Sequence, residues 1–429
     1  MPPRTPPATA PRGLHWHYAW VVVVASLLIE FFGIGFGFFA LVASYPYFET
    51  LGWARTTVVA SSSVMITTIA VLSPLTGAYM DRRSIRQLFV AGGLVMALGH
   101  ALLGMAETPL AFYAGAAVLG VGMAGVTVLP NQVLISRWFK SRLGLANGLI
   151  SAGTVLGGSL STMVVTLCSE AYGRRTAFFI LAACVGTVPP LIGFILVRDH
   201  PADMGLEPYD EGEQRPARKV RLAPLEYREV FANPDFWLLT LGLLFATVPC
   251  YTSNKHLILY LHDLGLEATH AASVKSLMIL IAGAGRLIAG LLSDRFDRYG
   301  TLVAIYALSA IGFPLVFAMP SEPALLAYAV LFGLAYGGVM PMMPIMVVEC
   351  FGIEALGLIL GVMKVAYDAG AATAPLAAAY AHDQLGNYDL VFAINWACAL
   401  IAVGCAVALA IRHRRAAVAA YGQRTAAAG

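Results

Sequence analysis

The stretch Gly77-Ala78-Tyr79-Met80-Asp81-Arg82 returns 213 residues later as Gly290-Leu291-Leu292-Ser293-Asp294-Arg295. At the same offset Leu143-Gly144-Leu145 with Gly148 returns as Leu356-Gly357-Leu358 with Gly361, and Gly120 and Gly125 return as Gly333 and Gly338. Independent matches at one spacing mark the chain as a duplicated unit. The apolar runs between them say what is duplicated.

A bilayer-spanning helix needs about 20 apolar residues, because its amides find no partner in hydrocarbon except within their own segment. Twelve stretches qualify: 18–42, 57–79, 87–106, 110–134, 143–169, 176–197, 236–260, 270–293, 301–319, 323–348, 355–381 and 388–411. The break from Arg198 to Pro234 holds Pro201, Pro208, Pro216 and Pro224 among mixed charges, and divides the spans six and six. The organisation expected is a tail at 1–17, a six-helix bundle at 18–197, a linker at 198–235, a second bundle at 236–411 and a tail at 412–429. Six spans per unit make the repeat parallel, which places any solute site between the bundles near the midplane. The expected fold class is an all-α membrane protein of twelve transmembrane helices in two parallel-repeat six-helix bundles.

Composition agrees with that class. Hydrophobic residues make up 59% of 429 positions and charged residues 12%, half the roughly 25% of soluble domains. The six cysteines form no CxxC pair, so neither a disulfide framework nor a zinc site is indicated. Twenty of the 27 Lys and Arg residues fall on the side that holds both termini and the linker, and three on the other. The positive-inside bias makes the termini cytoplasmic. A bacterial inner membrane is the expected location.

The segments Gly77 to Arg83 and Gly290 to Arg298 resemble the loop signature of the major facilitator superfamily, and the resemblance extends from Tyr18 to Arg412. Within that superfamily, Tyr18-Ala19-Trp20-Val21-Val22, Leu51-Gly52-Trp53-Ala54-Arg55-Thr56 and Gly285-Arg286-Leu287 with Gly290 are similar to the monocarboxylate transporter and oxalate/formate antiporter group. The resemblance implies a secondary transporter of small organic carboxylates, running as proton symport or anion exchange. It also implies an Arg on span eight and a Lys on span eleven, met here by Arg286 and Lys364.

Physical chemistry singles out the same two cations. A charge at mid-membrane costs at least about 2.5–3.5 kcal/mol, so it faces a cavity or a partner. Arg286 lies 8 residues from Asp294 and Lys364 lies 10 from Glu354, about 12 and 15 Å from one face at helical rise. Arg286 offers a planar fork suited to a carboxylate, Lys364 a point charge. Their repeat counterparts are Ser73 and Ser151, so the charge is confined to one bundle. The alternative is that both neutralise internal acids and the solute is neutral or aromatic. Asp368, four residues after Lys364, shares its helix face and can pair with it. Glu30 sits near mid-depth on span one. Burial and a nearby cation move a carboxyl's proton affinity in opposite directions, so Glu30 and Asp368 are candidate coupling groups.

Other polar positions complete the candidate set. Tyr251, Thr252, Ser253, Asn254, Lys255 and His256 form a polar run in span seven, too costly to face lipid. Asn254 and His256, with Tyr336, Tyr367 and Asn131, are candidate solute contacts. Asp81, Arg82, Asp294 and Arg295 are candidate gating residues, since an Asp at a helix end can bind the amides that open a helix in the other bundle. No GxxxxGK[ST] loop is present, which excludes ATP-driven transport by that route. No reaction-spaced His, Asp and Ser cluster argues for an enzyme, and no metal or cofactor is expected. The expected partners are a small organic anion, the bilayer and protons, without nucleic acid, for a monomeric chain.

Overall fold

The computed structural model describes residues 17–44, 48, 52–53, 55–211, 227–353 and 356–428. The sequence expectations for most of the N-terminal tail, for the middle of the linker at 212–226 and for Glu354 lie outside the described residues. Eleven helical runs are long and apolar enough to cross a membrane: α1 (Tyr18–Val42), α2 (Thr57–Arg82), α3 (Ile85–Met105), α4 (Pro109–Trp138), the double run Leu143–Ile195, α7 (Pro234–Asp263), α8 (Thr269–Arg295), α9 (Arg298–Ala318), α10 (Glu322–Phe351), α11 (Leu356–Leu385) and α12 (Asp389–Arg415). The double run breaks at Gly173, whose φ of 79° and ψ of 159° lie outside any helical basin. It therefore supplies α5 (143–172) and α6 (174–195), giving twelve spans. The loop expected between 169 and 176 reduces to this one glycine, because φ > 0 costs it nothing.

Several helices start where the sequence provides a side-chain cap. Thr108 and Asn233 accept amides ahead of Pro109 and Pro234, and Asp297 accepts the Gly300 amide at 2.7 Å. The start of α3 has two caps: the Ser84 hydroxyl and Asp199, whose Oδ1 accepts from Ile85 at 2.8 Å and Arg86 at 3.2 Å. The outward faces are apolar and exposed, as at Val71, Leu75, Leu280 and Leu376, which is the surface lipid requires.

The 213-residue offset is written into the packing. Gly120 abuts the Met65 carbonyl of α2 and Gly333 abuts the Met278 carbonyl of α8, one contact in each bundle. Between bundles, α2 crosses α11 at Gly77 and Gly357, and α8 crosses α5 at Gly290 and Gly144. At both crossings a Cβ would run into the facing glycine's carbonyl oxygen. Gly361 against Ser73 and Gly148 against Arg286 extend the two crossings toward mid-depth. The bundles are thus locked together at the end that holds the termini, here called the basic end.

The first part of the linker is not a free tether. Tyr209 forms a parallel bridge with Phe139, its amide donating to the Trp138 carbonyl at 2.8 Å and its carbonyl accepting from Lys140 at 3.0 Å. Its ring packs among His17, Trp20 and Phe139. Glu211 then pairs with Arg142 at 2.7 Å. Arg142 is the one described non-glycine residue with positive φ, 57°, and it immediately precedes α5.

Candidate functional site

Both signature aspartates meet the helix starts of the opposite bundle. Asp81 Oδ1 and Oδ2 accept the Gly357 and Leu358 amides at 2.8 and 2.9 Å, at the first turn of α11. Asp294 accepts the Gly144 and Leu145 amides at 3.0 and 2.9 Å, at the first turn of α5. Each carboxylate satisfies two orphan amides and complements the positive end of a helix dipole. Arg82 and Arg295 are exposed beside them. The guanidinium buried beneath the α2 crossing belongs instead to Arg137 on α4, which donates from Nη2 to the Met80 carbonyl at 2.6 Å. Sequence reading counted Arg137 only among the twenty basic residues on the side of the termini. Its repeat position is Cys350, so the second crossing has no such group.

Toward mid-depth, four charges converge. Arg286 on α8 reaches across the interface and donates from Nη1 to the Ser151 carbonyl of α5 at 2.9 Å. Its other N–H groups meet no acceptor among the described residues. They are not among the sealed, unpartnered atoms either, so part of the guanidinium keeps accessible surface. Lys364 on α11 holds both oxygens of Asp368 at 2.7 and 2.9 Å, with the two side chains 11% and 8% exposed. This is the i, i+4 pairing the sequence allowed. It commits the ammonium, leaving Arg286 the uncommitted cation of the cluster. On the facing bundle Glu30, 1% exposed, lies within electrostatic range of both Arg286 and Lys364. Asn131 donates to Glu30 Oε1 at 3.4 Å and Thr154 to Oε2 at 3.2 Å, so the acid's direct partners are neutral.

The polar run of span seven is fully helical to Asp263. Tyr251 shares a 3.0 Å hydroxyl bond with Tyr367, whose ring lies 5.7 Å from the Lys364 ammonium. Asn254 donates to the Tyr336 hydroxyl at 2.9 Å, and Tyr336 is within electrostatic range of Arg286. These residues therefore line one cluster. His256 is held elsewhere: its ring nitrogens meet the Tyr388 hydroxyl at 3.1 Å and the Pro375 carbonyl at 2.9 Å. Asn131 faces Glu30, not the cations. Thr154 and the Ser151 carbonyl were missed by sequence reading, since their roles depend on which spans cross.

Two helical bundles joined at one end, with charges gathered between them, form the architecture expected of a membrane carrier. The Major Facilitator Superfamily model matches residues 27–298 and again 251–427, and the chain belongs to that family. It is 23% identical over 355 residues to the oxalate:formate antiporter of Oxalobacter formigenes, covering 82% of this chain and 81% of that one. Monocarboxylate transporter 14 of Mus musculus is 32% identical over 170 residues, 39% of this chain and 32% of its own. Among solved structures, that of FucP in the outward conformation aligns with a TM-score of 0.70 at 15% identity, covering 92% of this chain and 99% of FucP.

Proposed function

We propose that the chain is a secondary transporter of a small organic anion, working by alternating access with both termini cytoplasmic. The observation that carries this reading is Arg286, whose N–H groups beyond the Ser151 contact meet no acceptor among the described residues and are not sealed. A carboxylate is the ligand that a planar guanidinium fork fits best. Because Lys364 is neutralised by Asp368, one full cation remains for the solute, and a monocarboxylate is the preferred class. A dicarboxylate requires Lys364 to leave Asp368. Tyr336, Tyr367 and Asn254 supply hydroxyl and amide groups for the rest of the solute. Glu30, with neutral partners and two cations in range, is the coupling acid: protonated, it leaves the cluster one net positive charge for an incoming anion. Asp81 and Asp294 hold the cytoplasmic side shut.

A second reading, transport of a neutral or aromatic solute, draws support from the three tyrosines and the closed Lys364–Asp368 pair. Proteoliposomes separate the two. The anion reading expects counterflow of a radiolabelled monocarboxylate, stimulated by an inward proton gradient and lost in Arg286→Ala. Counterflow of neutral solutes only, unchanged in Arg286→Ala, overturns it.

A further inference from the structure

α4 is interrupted beside Glu30. Thr127 is extended (φ −88°, ψ −150°) between the helical segments ending at Val126 and starting at Val128. Pro130 lacks the N–H that would have served the Val126 carbonyl. The Asn131 amide takes over, donating to the Val126 carbonyl at 3.1 Å, the Thr127 carbonyl at 3.0 Å and Glu30 Oε1 at 3.4 Å. Three acceptors thus share one NH₂ group with two hydrogens. Meanwhile Asn131 Oδ1, in a side chain with 0% exposure, has no partner among the described residues. One turn before Glu30 on α1, the buried Ser26 hydroxyl lacks one too.

Oxygen acceptors therefore exceed donors at a sealed point beside one carboxylate. We propose that this point binds a monovalent alkali-metal cation. Turning the Asn131 amide about its Cβ–Cγ bond puts Oδ1 where the NH₂ group stands, facing Glu30 Oε1 and the carbonyls of Val126 and Thr127. Hard cations take oxygen ligands of this kind, carboxylate and carbonyl together. Unwound carbonyls in a broken helix are how transporters present them at mid-membrane. Oxygens 3.0–3.4 Å from the turned Oδ1 are spaced as neighbours around one ion, which would lie among them without drawing them closer. A single negative charge, with Arg286 and Lys364 in range, matches a monovalent ion, since a divalent one would leave excess positive charge in the membrane interior.

The inference rests on the assignment of Glu30 as the coupling acid, and the test keeps the two apart. Melting temperatures of the purified protein are measured in NaCl, KCl and choline chloride at equal ionic strength. A saturable rise of several degrees in Na⁺ or K⁺ over choline is expected, lost in Glu30→Gln and shifted several-fold in half-saturation by Thr154→Ala. Should Glu30→Gln fold poorly, Asn131→Asp serves: a second carboxylate changes the half-saturation about ten-fold or more. No cation-specific rise in the wild type, or an unchanged half-saturation in Asn131→Asp, overturns the site. If alkali cations do nothing while a proton gradient drives uptake that Glu30→Gln abolishes, the coupling assignment stands and the cation site falls. If neither ion drives uptake, both fall.

Discussion

The Arg286 guanidinium donates to the carbonyl of Ser151, and Ser151 is the repeat counterpart of Lys364. The duplicated positions have thus been divided: one copy carries a charge, the other a backbone oxygen that aims the charge of its partner. Arg286→Lys should not be conservative. It keeps one charge and loses the fork that holds Ser151 and a carboxylate together. Monocarboxylate affinity should fall about ten-fold or more, the worth of one charged hydrogen bond of about 1.5 kcal/mol or more. Isothermal titration of purified protein measures it.

Lys364→Ala should be costly for a different reason. It leaves Asp368 charged and buried, a penalty of about 3–5 kcal/mol. The double change Lys364→Ala with Asp368→Ala should recover expression and melting temperature. On the proposed mechanism it still takes up monocarboxylates but does not bind dicarboxylates. Uptake of both solute classes by the double variant would remove Lys364 from the site.

At the basic end, Gly77→Ala or Gly290→Ala should loosen the joint between bundles, because the new methyl meets a facing backbone carbonyl. Overpacking of this kind costs about 1–3 kcal/mol, enough to shift the closed-to-open ratio roughly 5–150-fold. In a background without native cysteines, a thiol at Leu358 should alkylate faster by a comparable factor.

Asp81→Asn and Asp294→Asn should act on exchange between conformations. Each keeps an acceptor but loses the charge that complements a helix start, worth about 0.3–1 kcal/mol. The uptake rate should change several-fold while equilibrium solute affinity stays within about two-fold. Arg137 makes the two unequal: with Asp81 neutralised, a buried guanidinium loses one of its nearby anions and keeps Asp199 and Asp203, so the α2 variant should be the less stable by a modest margin.

Much of this fold was legible because the bilayer enforces it. Span count follows from apolar length, and the matching of the two halves from one repeated offset. The pairing of Lys364 with Asp368 was legible too, being a matter of helical spacing. What could not be read were contacts set by which helices cross: Thr154 on Glu30, Ser151 on Arg286, Arg137 under Asp81. His256 and Asn131 looked like solute contacts because polarity in a span was visible and direction was not. The structure turns His256 toward Tyr388 and Asn131 toward Glu30.

The strap at Tyr209 and Glu211 moves the point from which the connection to the second bundle departs. It grips the α4–α5 turn through Arg142, two residues before the amide that Asp294 holds. Any swing of α5 away from α8 must either carry the strap along or tear it off. Because every described contact of the strap is to the first bundle, it travels with α5, and the connection to the second bundle starts from the α4–α5 turn and not from the end of α6.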